Sequence, residues 1–144
     1  MTDTNVDTNR ATALKFLETM GSNDPEGAAA CFAPGGCAVT MGTGNFSGRR
    51  DAATVTGAIE AFKTLMPLGL RFTVKTVTAE GDTVVIEAEG NAETHAGTSY
   101  ANNYVFVFAM EHGRIKEVRE YFCTRYADEV LWPIANQVEA LSNG

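Results

Sequence analysis

The sequence lacks any hydrophobic run that could cross a membrane. A membrane-spanning helix needs about 20 predominantly apolar residues, and no apolar stretch of the 144 residues approaches that length. The polar start, MTDTNVDTNR, also lacks the basic beginning and the apolar segment of a secretory signal. We therefore expect a cytoplasmic protein that does not bind membranes, and we expect residues 1–9 to be disordered or frayed.

The chain is also poor in positive charge, with eleven Lys and Arg against eighteen Asp and Glu and a net charge of -7. The basic residues are spread along the sequence and form no block that could neutralise the phosphates of a nucleic acid. The composition therefore predicts that nucleic acid is not a partner.

Residue spacings that indicate metal or phosphate binding are missing as well. Cys31, Cys37 and Cys123 form no CxxC pair and no Cys/His set, so we interpret them as reduced thiols. The glycine-rich stretch GTGNFSG has neither the GxGxxG nor the GxxxxGKS/T pattern of a phosphate-binding loop. The sequence thus predicts no metal site and no organic cofactor.

Helical patterns fill the first half of the chain. Apolar residues recur at helical spacing in ATALKFLETM, which predicts a first helix that ends near Gly21. A second helix should begin at Pro25 after the capping residue Asp24, and a third should run from about residue 50 to residue 65. The segment CAVTM, between these two helices, is expected to be a short strand.

The second half is rich in Val, Ile, Tyr, Phe and Thr, which favour strands. Four strand-like segments follow one another: LRFTVKTVTAE, TVVIEAEGNAE, SYANNYVFVFAM and RIKEVREYF. The turns EGD and EHG indicate antiparallel connections, and a last helix is expected within TRYADEVLWPIANQVEAL. Helices followed by a meandering sheet predict an α+β fold. Its size is that of one domain, which we place at residues 10–144.

The strand-like segment Tyr104–Met110, YVFVFAM, is apolar on both faces. A sheet with one face in water would alternate apolar and polar side chains along such a strand, so both faces should be covered. The helices can cover one face. We expect a second copy of the protein to cover the other, which predicts a homodimer through the outer face of the sheet.

A carboxylate stands between two apolar side chains in VREYFCTRY. Strand residues alternate between faces, so Glu120 shares a face with Val118 and Phe122. If that face is solvated, Glu120 is an ordinary surface residue with a basic partner. If the face lines a cavity, loss of water raises the pKa of Glu120 towards the range that suits an acid or base.

The segment YANNYVFVFAMEHGRIKEVREYF resembles the SnoaL-like branch of the nuclear transport factor 2-like superfamily, which also holds ketosteroid isomerases and limonene epoxide hydrolases. The Y-x-x-N-Y-x-F-x-F, H-G-R-I and R-E-Y motifs carry the likeness. The resemblance implies a cone-shaped α+β barrel, in which a strongly curved, mostly antiparallel sheet wraps around the N-terminal helices and encloses a pocket. Members of the superfamily often pair through the outer sheet face.

The resemblance also suggests catalytic residues. Glu120 occupies the position of a catalytic aspartate of the epoxide hydrolases, and a count back from Tyr100 without a gap places Glu89 at their second aspartate. Glu87 stands where those enzymes have an arginine. Many SnoaL-like proteins have Asp at the position of Cys123. We therefore expect Glu120 and Glu89 to be catalytic. The alternative is that the face bearing Glu87 and Glu89 looks outward and pairs with Arg119.

Further residues are candidates for substrate binding. If the last two strands pair, Asn102 and Tyr104 lie beside Glu120, and Val118 and Phe122 form the wall around it. Two functions remain open. The first is a cofactor-independent isomerase, cyclase, dehydratase or hydrolase that uses carboxylate acid-base chemistry on a small apolar organic molecule. The second is a noncatalytic ligand-binding or dimeric assembly domain.

Overall fold

The computed structural model describes residues 4–137. Along the chain, the helices and strands are α1 (Thr4–Gly21), α2 (Pro25–Cys31), β1 (Phe32–Thr40), β2 (Gly48–Asp51), α3 (Ala52–Leu65), β3 (Arg71–Glu80), β4 (Thr83–Glu93), β5 (Ser99–Glu111), β6 (Arg114–Phe122), α4 (Thr124–Val130) and α5 (Trp132–Ala135). This order, with helices first and a meander of strands afterwards, confirms the predicted α+β class.

The six strands form one sheet in the order β2-β1-β6-β5-β4-β3. The pairs β3–β4, β4–β5 and β5–β6 are antiparallel hairpins, as the turns in the sequence indicate, and β1 also pairs antiparallel with β2. The pair β1–β6 is parallel. This contact joins the first and last strands of the chain and brings residues about 80 positions apart side by side.

The inner face of the curled sheet forms the core together with the helices. Burial alternates along β4 and β5, where every second side chain is withdrawn from solvent. In β5 the buried positions are Tyr100, Asn102, Tyr104, Phe106, Phe108 and Met110. The intervening residues of β5 point to the outer face. Residues of β4 and β6 that lie opposite them in the sheet point to the outer face as well.

Two aspartates start the helices that follow β-structure or turns. The Asp24 side chain accepts a hydrogen bond from the backbone N–H of Gly27 at 2.9 Å and begins α2, as predicted. Asp51 accepts from the backbone N–H of Thr54 at 2.8 Å and begins α3. Residues 48–51 are the strand β2, which the sequence analysis missed because four mostly exposed residues show no apolar alternation.

Both ends of the chain differ from expectation. Residues 4–9, which the sequence predicts to be disordered or frayed, belong to α1, which begins at Thr4. Asn9 is buried and its Nδ2 donates to the carbonyl of Gly81 at 3.3 Å, which ties α1 to the turn after β3. The expected last helix is divided into α4 and α5, and its final residues lie outside the described part. Within residues 4–137, no helix is long and apolar enough to cross a membrane.

Candidate functional site

A cavity of about 140 Å³ lies between the inner face of the sheet and the helices α1, α3 and α4. Most of the residues around it are apolar, and they include Phe16, Phe46, Phe62 and Phe122. The polar residues of its lining are Thr40, Arg50, Thr54, Tyr100, Tyr104 and Glu120. An apolar cavity with a few converging polar groups is the usual form of a small-molecule site.

Glu120 reaches this cavity from β6. It lies on the inner face, opposite Phe106 of β5 and beside Thr40 of the parallel neighbour β1. The Thr40 hydroxyl and the Glu120 Oε1 atom are 2.6 Å apart, the distance of a strong hydrogen bond to a carboxylate. The inner-face placement expected from the VREYFCTRY pattern is therefore present, while a catalytic role for Glu120 stays a prediction.

Arg50 of β2 also forms a hydrogen bond with Thr40. Its Nη1 donates to the Thr40 Oγ1 at 3.3 Å and to the carbonyl of Gly48 at 3.4 Å, and its Nη2 donates to the carbonyl of Phe46 at 2.7 Å. Guanidinium, hydroxyl and carboxylate thus form a chain from Arg50 through Thr40 to Glu120. Within residues 4–137, Glu120 forms no direct ion pair.

The surroundings of Glu120 favour its protonated form. Loss of water around the side chain raises the pKa of Glu120, and this effect outweighs the lowering caused by the Thr40 hydrogen bond and by the positive charge of Arg50. The hydrogen bond from Thr40 also fixes the position of this carboxyl. A carboxyl group in this condition can give or take a proton closer to neutral pH than an exposed glutamate can.

A second polar group faces the cavity from β5. The hydroxyls of Tyr100 and Tyr104 are 2.7 Å apart, and the Nδ2 of Asn102 donates to the Tyr100 oxygen at 2.9 Å. Burial is the main reason why the pKa of Tyr100 is raised and that of Tyr104 is raised well above its usual value, and the negative charge of Glu120 adds to both shifts. Both phenols consequently stay neutral hydrogen-bond donors.

Three of the four residues predicted to bind substrate line the cavity, namely Tyr104, Val118 and Phe122. Asn102 is buried behind them rather than in the lining. Its Nδ2 also donates to the carbonyl of Cys123 at 3.1 Å, and its Oδ1 accepts from the backbone N–H of Asn103 at 2.9 Å. Asn102 therefore orients Tyr100 instead of offering its amide to a ligand.

Glu89 is not brought to the cavity, which corrects the expectation that two carboxylates share it. It lies on the outer face of β4, opposite Asn103, and its side chain is 50% exposed with Lys75 at 3.5 Å. The outward alternative is the one observed. The partner is Lys75, however, since Arg119 binds Glu117 at 2.9 Å.

Cys123 and His95 do not line the cavity. Cys123 is exposed just before α4, and His95 is exposed in the connection between β4 and β5. No three His, Cys, Asp or Glu side chains of residues 4–137 lie close enough to hold a metal ion. The absence of a cofactor requirement stays a prediction.

Three polar residues of the described site were not predicted from the sequence: Thr40, Arg50 and Tyr100. Thr40 and Arg50 reach Glu120 only because β1 pairs with β6 and β2 pairs with β1. No local sequence pattern predicts these two strand pairings. Tyr100 is predictable as a residue of the site, because it shares a strand face with Asn102 and Tyr104.

Solved structures similar to this fold have low sequence identity. A candidate isomerase from Bacillus subtilis has a TM-score of 0.76 and 21% identity, over 88% of this chain and 94% of its own. An NTF2-like protein of unknown function from Burkholderia pseudomallei has a TM-score of 0.74 and 19% identity, over 86% and 97%. A Catenulispora acidiphila protein with a ketosteroid isomerase-like fold, in complex with trimethylamine, has a TM-score of 0.68 and 15% identity, over 89% and 92%.

These similarities establish the fold and leave the chemistry to the site. No curated protein sequence matches the chain significantly. The family model of the SnoaL-like domain matches residues 13–118, which is more than half of the 144 residues and includes Val118 of the cavity wall. This match confirms the resemblance seen in the strand motifs, and the chain belongs to the SnoaL-like domain family.

Proposed function

We propose that the protein is a cofactor-independent enzyme that acts on a small, largely apolar organic molecule by proton transfer through Glu120. The observation that supports this best is the position of Glu120 in the wall of an apolar cavity, fixed by Thr40 and without a direct ion pair in the described chain. A glutamate that serves only as a surface charge has no reason to be buried, because burial removes water from its carboxylate and costs free energy.

The two polar groups of the cavity suit different parts of one reaction. Glu120 can donate a proton to a leaving oxygen or remove a proton beside a carbonyl. The neutral hydroxyls of Tyr100 and Tyr104 can bind the oxygen of the substrate while its charge changes. This division of roles fits an isomerase, cyclase, dehydratase or hydrolase, and the similar B. subtilis protein is a candidate isomerase.

The cavity volume restricts the substrate. A closed apolar cavity of about 150 Å³ can hold a molecule the size of benzene, and the volume here is about 140 Å³. The aromatic lining favours a flat, apolar body. We therefore propose a substrate with a single ring or an equally small apolar body, carrying at least one oxygen that can accept a hydrogen bond.

The test combines ligand discovery with one substitution. A panel of small ring compounds bearing carbonyl, hydroxyl or epoxide groups is screened for binding by protein-observed NMR, and each binder is then assayed for conversion. Glu120→Gln keeps size and polarity but cannot exchange a proton. It should lower turnover by about 100-fold to 10,000-fold, as loss of a positioned acid or base does, while ligand binding remains nearly unchanged.

Glu89→Gln is the matched control, since it makes the same chemical change on the outer face of the sheet. It should leave turnover within about twofold of wild type, because exposed ion pairs contribute little. If Glu120→Gln converts a confirmed substrate within about threefold of wild type, Glu120 is structural and the acid-base proposal is wrong.

The second candidate is a noncatalytic ligand-binding or assembly domain. The observation that favours it is that Glu120 is the single carboxylate among the described residues of the lining. Glu89 lies on the other face, and Cys123 stands where the family resemblance implies an acid. This candidate predicts ligands that bind to the cavity and are recovered unchanged. It also predicts that Glu120→Gln alters affinity without any effect on a rate.

We further propose that two copies pair through the outer face of the sheet. Val105, Val107 and Ala109 of β5 lie on this face and are only partly buried in one copy of the chain. Beside them, Tyr121 of β6 is 42% exposed. Charged neighbours on the same face, Arg119 and Glu117, already pair with each other. Exposed apolar side chains grouped on one face of a sheet are a common site of protein association.

A further inference from the structure

The hydrogen bonds around Glu120 distinguish its two oxygens. Thr40 is 5% exposed, and its hydroxyl has two partners in the described chain, Arg50 and the Oε1 atom of Glu120. Among residues 4–137, no side chain forms a hydrogen bond or an ion pair with Oε2. The two oxygens of one carboxyl group therefore have different surroundings.

The direction of these hydrogen bonds follows from the chemistry of the partners. An arginine side chain can only donate, so Arg50 gives a proton to the Thr40 oxygen. Thr40 has a single hydroxyl proton, and Glu120 is its one acceptor in the described chain. If Glu120 donated instead, the Thr40 proton would be buried without an acceptor, which is costly. Thr40 therefore donates to Oε1.

We propose that Thr40 and Arg50 are positioning residues that hold Oε1 of Glu120 as a hydrogen-bond acceptor and leave Oε2 as the oxygen that exchanges a proton with the substrate. The inference deepens the proposed function and rests on it. Arg50 acts through Thr40, since its Nη1 donates to the same hydroxyl that donates to Glu120. Loss of either residue should free the carboxyl to rotate and change its proton affinity.

The other groups that face Glu120 do not duplicate this role. From β5, Tyr100 and Tyr104 bring no charge to Glu120, because burial and the negative charge of Glu120 raise the pKa of both phenols and keep them neutral. The cavity residues contributed by α1, α3 and α4 carry no charge, and Arg50 is the one cation in the described lining. Thr40 and Arg50 are thus the neighbours that favour the ionised form of Glu120.

The test is a carboxyl ¹³C NMR titration of the ligand-free protein labelled at glutamate, with Glu120→Gln used to assign the signal. Thr40→Val removes the hydroxyl and keeps the shape of the side chain. Because it removes a hydrogen bond to the carboxylate, it should shift the Glu120 titration to higher pH. Thr40→Ser restores the hydroxyl and should return the titration close to that of wild type.

A second pair of variants tests Arg50. Arg50→Met keeps most of the apolar stem, removes the charge and should also shift the Glu120 titration to higher pH. Arg49→Met removes the same charge one residue earlier in β2, where Arg49 reaches Glu117 at 3.5 Å. It should leave the Glu120 titration in place. Amide spectra identify any variant that is misfolded, which matters because Arg50 also binds the Phe46 carbonyl.

The outcomes separate this inference from the proposed function. An unchanged or lower titration in Thr40→Val, or equal titrations in Thr40→Val and Thr40→Ser, overturns the positioning role even where Glu120→Gln abolishes turnover. The predicted upward shift supports the positioning role even where Glu120→Gln remains fully active, a result that would overturn only the proposed catalysis. Neither titration requires a known substrate.

Discussion

The phenol oxygens of Tyr100 and Tyr104 lie 2.7 Å apart, although the two residues are four positions apart in one strand. A strand rises about 3.3 Å per residue, so their backbones are separated by about 13 Å and the side chains lean towards each other. Each hydroxyl has one proton, and the hydrogen bond between them uses one of the two. One O–H of the pair therefore remains for a ligand oxygen.

Removal of the Tyr104 hydroxyl should weaken the binding of ligands that carry an oxygen. Tyr104→Phe deletes one member of the pair, and a typical hydrogen bond contributes about 1 kcal/mol, or about fivefold in affinity. The measurement is calorimetry or NMR titration with a binder from the ring-compound panel. A hydrocarbon analogue without oxygen should bind both proteins equally.

Tyr126→Phe is the control for this change. The Tyr126 hydroxyl accepts from the backbone N–H of Ala101 at 3.3 Å, and its ring stacks on Tyr100, but it is not part of the cavity lining. Its loss should leave affinity within about twofold of wild type. Equal effects of Tyr104→Phe and Tyr126→Phe would show that the Tyr104 hydroxyl does not contact the ligand.

Gly90 makes room for the Tyr104 ring, which leads to a prediction about stability. A Cβ atom at Gly90 would lie 2.7 Å from Tyr104 Cε1 and 3.0 Å from Phe72 Cε1, distances too short for carbon atoms in contact. Gly90→Ala should therefore move the Tyr104 ring and lower the free energy of unfolding by about 1–3 kcal/mol, as overpacking does. Denaturant unfolding measures the change.

Gly57→Ala provides the contrasting substitution. Gly57 is exposed in the middle of α3, and a Cβ atom there meets nothing within 4 Å. Alanine favours a helix over glycine by about 0.5–1 kcal/mol, so this variant should be more stable than wild type. The same chemical change is thus expected to have opposite signs at two positions. Equal effects would mean that Gly90 is not in close contact with Tyr104.

The sequence predicted the inner face of β6 but not that of β4, and the reason lies in strand register. Alternation placed Glu120 with Val118 and Phe122 without any knowledge of the neighbouring strands. The face of Glu89 depends instead on how β4 pairs with β5, where Glu89 lies opposite Asn103. A shift of one residue in that pairing exchanges the two faces, and the connecting loop alone does not fix it.

Contacts between distant segments explain the rest of what the sequence did not reveal. The Thr40 hydroxyl reaches Glu120 only because β1 and β6 pair in parallel, with a register that places residues 80 positions apart side by side. Arg50 lies in the short edge strand β2, whereas the sequence pattern predicts the start of a helix there. A polar residue has no local pattern that reveals its partner across a sheet, so such positions are recognised only in the folded chain.

The proposed dimer predicts that one charge on the outer face will separate the subunits. Val107→Glu places a carboxylate in the middle of the apolar surface, opposite Arg119, which already pairs with Glu117. Burying a charge that lacks a partner of its own in an interface is strongly unfavourable. Sedimentation velocity at micromolar concentration should show a wild-type dimer and a monomeric variant. Circular dichroism verifies that the variant is folded.

Val74→Glu is the matched control for the dimer, because Val74 is 38% exposed but lies in β3, near the end of α1 rather than on the outer face. It should leave the sedimentation coefficient unchanged. A wild-type protein that sediments only as a monomer would remove the proposed pairing. A Val107→Glu variant that remains dimeric would place the interface elsewhere.

The final prediction concerns the dependence of stability on pH, for which the raised pKa of Glu120 fixes the sign. Burial raises this pKa above the usual value of 4.5, so the folded protein holds the Glu120 proton more tightly than the unfolded chain does. The contribution of Glu120 to stability is then fully present below pH 4.5 and is lost as pH rises through the folded-state pKa.

Glu120→Gln removes this titration, so the free energy of unfolding of wild type should fall relative to that of the variant as pH rises through this range. Each unit by which the folded-state pKa exceeds that of the unfolded chain corresponds to about 1.4 kcal/mol of the difference. Urea unfolding at several pH values measures both curves. Glu89→Gln makes the same chemical change on the outer face of the sheet and is measured as the control. If the wild-type and Glu120→Gln curves stay parallel, or if wild type gains stability relative to the variant as pH rises, the carboxyl of Glu120 is not kept protonated by its burial, because only a proton held more tightly in the folded state produces the predicted sign.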